Sequence, residues 1–117
     1  MHELGVAQDI LAALRPAIAG RPGFKVRRVR VKYGKLRGVE PEALKFAYEA
    51  ICKGEPAVEG SVLELEEDPV VFHCRDCGKS LPLADWAFQC SSCGSVYGET
   101  TGGNEIVLES LEGEEAP

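Results

Sequence analysis

Cys74-Arg-Asp-Cys77-Gly78 and Cys90-Ser-Ser-Cys93-Gly94 repeat one short pattern, with 12 residues between the second and third cysteines. A Cys-x-x-Cys turn points two thiolates at one centre, and a glycine after the second cysteine permits a left-handed backbone there. Two such turns supply the tetrahedral four-thiolate cage that zinc prefers in closed structural sites. The segment 70–100 that carries them is rich in Gly and Cys and too short to bury a stabilising core, so a metal crosslink is expected to hold it. Cys74, Cys77, Cys90 and Cys93 are therefore the expected zinc ligands. The same pattern also describes a rubredoxin-like iron electron carrier. Zinc is expected ahead of iron because iron would leave the helices and strands outside the segment without a purpose.

Outward from the cysteines, the pattern is that of one modest domain interrupted by a metal module. Val6, Ile10, Leu14 and Ile18 recur at helical spacing with Ala7 and Leu11 beside them, and Pro16 is expected to kink or end this helix near Leu14. Phe24 to Tyr33 alternates apolar with basic residues as a half-buried strand, and its parity shifts between Val26 and Val29. Glu40-Pro41-Glu42 opens a second helix whose apolar face is Leu44, Ala47, Tyr48 and Ile51. Cys52, at its end, reads as a small buried hydrophobe. Val62 to Glu67 and Ile106 to Leu111 are further strands, and Glu112 to Pro117 reads as a solvated tail. The expected organisation is 1–69 and 101–117 as one domain with 70–100 inserted.

The formal net charge is −6, which argues against nucleic-acid binding, since phosphates call for a basic field. Seven of the 13 Lys and Arg lie between Lys25 and Arg37, and a basic strand flanked by acidic ones explains them. Nothing in the chain is apolar for long enough to span a bilayer. Met1-His2-Glu3-Leu4 has no basic stretch leading into an apolar run, so a cytoplasmic location is expected. There, thiols stay reduced and paired cysteines mean metal rather than disulfides. His73, next to a zinc ligand, reads as a strand residue; the alternative is that it makes the zinc module respond to pH. No catalytic triad, phosphate-binding glycine loop or buried carboxylate pair is present, so no enzymatic activity is expected.

His2 offers a second kind of metal site. The Met1 amine, the His2 amide nitrogen and the His2 imidazole can form fused chelate rings around one ion, with the Glu3 amide or an outside donor completing it. A planar, nitrogen-rich set suits Ni(II) or Cu(II). A bulky second residue also disfavours removal of the initiator Met.

Met1-His2-Glu3-Leu4 at the start of a helix, Gly38-Val39-Glu40-Pro41-Glu42-Ala43-Leu44 at the start of the next, and the paired Cys-x-x-Cys-Gly turns together resemble the HypA/HybF family. These are nickel metallochaperones of [NiFe]-hydrogenase maturation. The resemblance runs from Met1 to about Glu112. It implies an α+β fold, two helices on a small three-stranded antiparallel sheet, with an inserted zinc ribbon. It implies Ni(II) as transient cargo and Zn(II) as a structural ion. The partners it implies are the GTPase HypB and the hydrogenase large subunit, with urease maturation proteins in some organisms. His2 matches the main nickel ligand, with Met1 and Glu3 beside it; Glu40 stands where some members carry an acid near the nickel, and helix capping explains it equally well. Gly5 replaces a common Ser, which would weaken the N-cap of the first helix, and Lys35 replaces a common acid. The alternative to a nickel carrier is a zinc-ribbon adaptor that binds protein or nucleic acid.

Overall fold

Apolar spacing places the first helix, but not its end. In the computed structural model, which describes residues 2–83 and 87–115, α1 spans His2–Ile18 and buries Val6, Ala7, Ile10, Leu11 and Leu14 along one stripe. It runs through Pro16 instead of stopping near Leu14. Pro16 is exposed and sits in the last turn, so the bond to the Ala12 carbonyl that it cannot donate is lost at the end of the helix rather than in its middle. Because the helix already begins at His2, Gly5 lies within it and removes no N-cap. Its cost is the poor helix propensity of glycine, about 1 kcal/mol relative to alanine.

The second helix, α2, spans Pro41–Cys52, with Pro at its first position and Glu42 in its first turn. It buries Leu44, Ala47, Tyr48 and Cys52 and packs against α1. The Tyr48 hydroxyl lies 2.7 Å from Ser61 Oγ. Burial pushes both the Tyr48 hydroxyl and the Cys52 thiol above their ordinary pKa values. Cys52 is thus the inert, buried thiol that its place on the helix suggests.

The strands are β1 (Phe24–Gly34), β2 (Val62–Asp68), β3 (Val71–Cys74), β4 (Ser80–Pro82), β5 (Gly98–Thr101) and β6 (Ile106–Glu115). They form two three-stranded sheets, ordered β2-β1-β6 and β4-β3-β5. The fold class is the expected one: α+β, two helices with small sheets and a cysteine-bearing ribbon. Two compact units result. One comprises Met1–Lys32, Val39–Glu66 and Val107–Pro117, and the other Tyr33–Gly38 and Glu67–Ile106.

In the first unit, Val26, Val29 and Val31 of β1 and Leu63 of β2 are buried. Arg27 and Arg28 are exposed in succession before the inward parity resumes at Val29, the shift that the sequence pattern signals. The outward basic stripe is answered from both sides. Arg28 and Arg30 each lie 3.3 Å from Glu64 on β2. On β6, Lys32 lies 3.1 Å from Glu109, Arg27 pairs with Glu114, and Arg21 lies 2.9 Å from Glu115. Ascending residues of β1 meet descending residues of β6, so these two strands are antiparallel. The acidic tail is therefore strand as far as Glu115 rather than a frayed end. Each exposed pair contributes at most about 1 kcal/mol; their combined effect is to fix register and neutralise the basic stripe.

In the second unit, β3 pairs antiparallel with β4 and β5, His73 lying opposite Ser80 and Glu99. Its core is Val70, Phe72, Leu83, Cys74 and Cys90, with Leu81 packed against them. A 3-10 turn, Lys35–Arg37, follows β1. The Gly34 N–H donates to Glu105 O at 2.7 Å and the Leu36 N–H to Gly103 O at 2.8 Å. A Cβ on Gly34 would lie 2.1 Å from the backbone of Gly103. Gly34→Ala is expected to destabilise the protein by about 2–3 kcal/mol, the scale of severe overpacking. An unchanged urea midpoint would contradict this close approach.

Candidate metal centres

Each cysteine turn folds by the same bonds. The Cys74 N–H donates to Lys79 O and the Cys90 N–H to Ser95 O, at 2.9 and 2.8 Å. The Gly78 N–H returns to Cys74 O and the Gly94 N–H to Cys90 O, at 3.1 and 2.9 Å. Both glycines take positive φ, 74° and 78°, so a Cβ at either would strain the turn. β3 delivers Cys74 at its last residue.

The four sulfurs converge. Cys74 Sγ lies 3.7 Å from Cys93 Sγ, Cys77 Sγ lies 3.6 Å from Cys90 Sγ, and all four are within 4.8 Å of one another. A tetrahedron with metal–sulfur bonds of about 2.3 Å has edges of about 3.8 Å, so the set fits one tetrahedral ion.

The electrostatics point the same way. Backbone N–H groups of Cys93 and Ser92 hold the Cys90 thiol down at about 6, and that of Cys77 lowers Cys74. Despite the N–H donated by Lys79, burial and the neighbouring thiols raise Cys77. Despite that of Ser95, burial and the three other thiols push Cys93 up to about 12. Each turn thus favours one thiolate and resists a second. A divalent cation among them reverses that resistance, because opposite charge favours the ionised form.

His73 is a strand residue of β3, with Nδ1 2.7 Å from Ser80 Oγ and Nε2 2.7 Å from Thr101 Oγ1. Both ring nitrogens face hydroxyls on the flanking strands, so the imidazole tethers β4 and β5 to β3 rather than joining the cysteine cluster.

At the other candidate centre, His2 is the first residue of α1 and its side chain is 56% exposed. The first N–H groups of a helix have no intrahelical acceptor, which leaves the His2 and Glu3 amides outside the helix ladder. Met1, expected beside them, lies outside the described residues. Glu3 is buried. Its Oε2 accepts from the Glu40 N–H at 3.2 Å and lies 3.1 Å from His2 Nε2. The Glu40 N–H holds the Glu3 carboxyl below its ordinary pKa against the opposing effect of burial, and the Glu3 N–H adds to this. Glu40 is the N-cap residue of α2, and its side chain makes no capping bond. Glu40 thus holds the N-cap position through its backbone alone, with its acid at the positive end of α2. Sequence spacing points to the Glu3 amide, not its carboxylate. A signal for the carboxylate does exist: Glu3 precedes Val6, Ala7 and Ile10 by three, four and seven residues, on the buried face.

These features define a small α+β metal-binding protein built around a four-thiolate ribbon, with a histidine exposed at the start of its first helix. No helix among the described residues is long and apolar enough to cross a membrane. The family model described as hydrogenase/urease nickel incorporation, metallochaperone, hypA matches residues 1–113. The hydrogenase maturation factor HypA of Trichormus variabilis is 39% identical over 115 residues, 98% of this chain and 97% of its own. That of Polaromonas naphthalenivorans is 39% identical over 116 residues, 98% of this chain and 100% of its own. The solution structure of the Ni metallochaperone HypA from Helicobacter pylori shares the fold, with TM-score 0.65 and 24% identity over 99% of this chain and 100% of that one. The chain belongs to the HypA family of nickel metallochaperones for hydrogenase maturation. That family is one of maturation factors, not of catalysts.

Proposed function

We propose that this chain binds Ni(II) at its N-terminus through the Met1 amine, the His2 amide and the His2 imidazole, and passes it on for [NiFe]-hydrogenase maturation. The observation that supports this reading is an exposed His2 at the first position of α1, where the amides lie outside the helix ladder, beside a buried carboxylate. The Glu3 amide completes the donor set, or leaves that position to a recipient. Exposure lets the cargo leave as readily as it enters. The partners are those the family resemblance implies: the GTPase HypB, the hydrogenase large subunit and, where urease is made, its maturation proteins. The cargo changes hands without covalent chemistry by this chain, in a cytoplasmic setting that keeps its thiols reduced.

Cys74, Cys77, Cys90 and Cys93 would hold Zn(II). Zinc has no redox chemistry and a closed tetrahedral site leaves no open position, so the ion crosslinks the ribbon and nothing more. The domain division that accompanies this reading is a nickel-binding domain of 1–69 and 101–117 interrupted by a zinc domain of 70–100.

Calorimetric titration with Ni(II) across pH tests the reading. The amine, the amide and the imidazole must all release protons to bind. Affinity should therefore fall as pH drops from neutral to mildly acidic, more steeply than the about tenfold per unit that one proton gives. An affinity flat over that range would place the nickel on carboxylates or solvent instead.

A further inference from the structure

The Glu3 carboxylate stands at a junction that the nickel ligands alone do not explain. We infer that Glu3 is a positioning residue for the proposed nickel site, its carboxylate fixing His2 in the tautomer that presents Nδ1 to the metal; this rests on the nickel reading above. Glu3 Oε2 lies 3.1 Å from His2 Nε2. A carboxylate oxygen offers only lone pairs and negative charge, so it favours the proton on Nε2, the ring nitrogen at ion-pair distance from it. In a neutral imidazole the other nitrogen then keeps its lone pair.

That other nitrogen is the one the chelate needs. Nδ1 is attached to Cγ, so it closes a small ring with the amide nitrogen of the same residue. Nε2 sits on the far side of the imidazole with its lone pair directed away. A carboxylate on the remote N–H also raises the basicity of the ligating nitrogen and fixes the ring orientation.

Glu3 is itself held in place. The same Oε2 accepts the Glu40 N–H at 3.2 Å. In a capping box, a Glu or Gln three residues into the helix would accept that N–H. Here that position is Ala43, and Glu3 supplies the missing acceptor from the neighbouring helix. The start of α2 thus anchors the carboxylate, and the carboxylate anchors the imidazole.

Two other roles would account for a buried Glu3: a purely structural clamp between helix starts, or a carboxylate ligand to nickel. The experiment separates them on the full chain, purified without an N-terminal tag, as native protein, Glu3→Ala and Glu3→Gln. Long-range proton–nitrogen NMR reads the His2 tautomer before nickel is added, and calorimetry then reads Ni(II) affinity at neutral pH. Native protein should show the Nε2–H form. Glu3→Ala should give the mixed tautomers of a free histidine and lose about 10–100-fold in affinity, the range for outer ligand partners. The Gln carbonyl can still accept the Glu40 N–H and present an oxygen lone pair to the imidazole, so Glu3→Gln should keep the tautomer and recover most of the affinity.

An unchanged tautomer and affinity in Glu3→Ala would overturn the inference in favour of the clamp. A Glu3→Gln protein with the native tautomer but the weak binding of Glu3→Ala would overturn it in favour of a carboxylate ligand. If Glu3→Ala loses its helical circular dichroism, Glu3→Gln decides alone. A native protein in which the tautomer follows Glu3 but no nickel binds would sink the nickel reading and leave the geometry standing.

Discussion

Cys90→Ser is expected to release the ribbon's metal and unfold the second unit while the helices stay folded. Cys90 is buried and accepts the Ser92 and Cys93 N–H groups, at 3.4 and 3.5 Å, so removing its thiolate opens the cage at its most enclosed corner. Structural zinc is worth about 10–16 kcal/mol in small four-ligand domains, and that binding energy is folding energy. The core available to replace it is Val70, Phe72 and Leu83, with two of the cysteines themselves as its remaining members. Cage and core are therefore one object here, and losing the first takes the second with it. The helices have their own buried stripes on Leu14 and Leu44 and should keep their circular dichroism. Elemental analysis and amide NMR dispersion check both halves. One zinc per chain in Cys90→Ser, with the β3 resonances still dispersed, would contradict the structural-zinc account.

How far the sequence reached differs from element to element. The cysteine cluster is legible because its chemistry is local: the Cys-x-x-Cys-Gly spacing sets each turn, and only the meeting of two turns is tertiary. The start of helix α2 is legible because Pro41 and Glu42 mark it. The end of α1 was not, because the effect of a proline depends on how much helix follows it, and only the last turn is left at Pro16. The extension of β6 to Glu115 was also hidden. Glu112, Glu114 and Glu115 read as a solvated run until Arg28, Arg27 and Arg21 stand opposite them. At the N-terminus, His2 is legible from its position alone. The Glu3 carboxylate is not, since its partner at Glu40 lies 37 residues away in the chain.

The central claim is that position at the N-terminus matters as much as residue type. If the Met1 amine binds nickel together with the His2 amide and imidazole, His2→Ala should weaken binding by more than the about 10–100-fold that an outer partner is worth. Adding one or two residues ahead of Met1 should do nearly the same with His2 intact, because the amine becomes an amide or is displaced. Zinc content should not change in either variant, since the cysteines belong to the other compact unit. The His2 side chain is largely exposed, so the stability of α1 should hardly move. The most direct test is calorimetric titration of Ni(II) into native, extended and His2→Ala proteins, all free of an N-terminal tag. The account predicts tight binding by the native protein alone; an extended protein that binds nickel as tightly as the native one would contradict it.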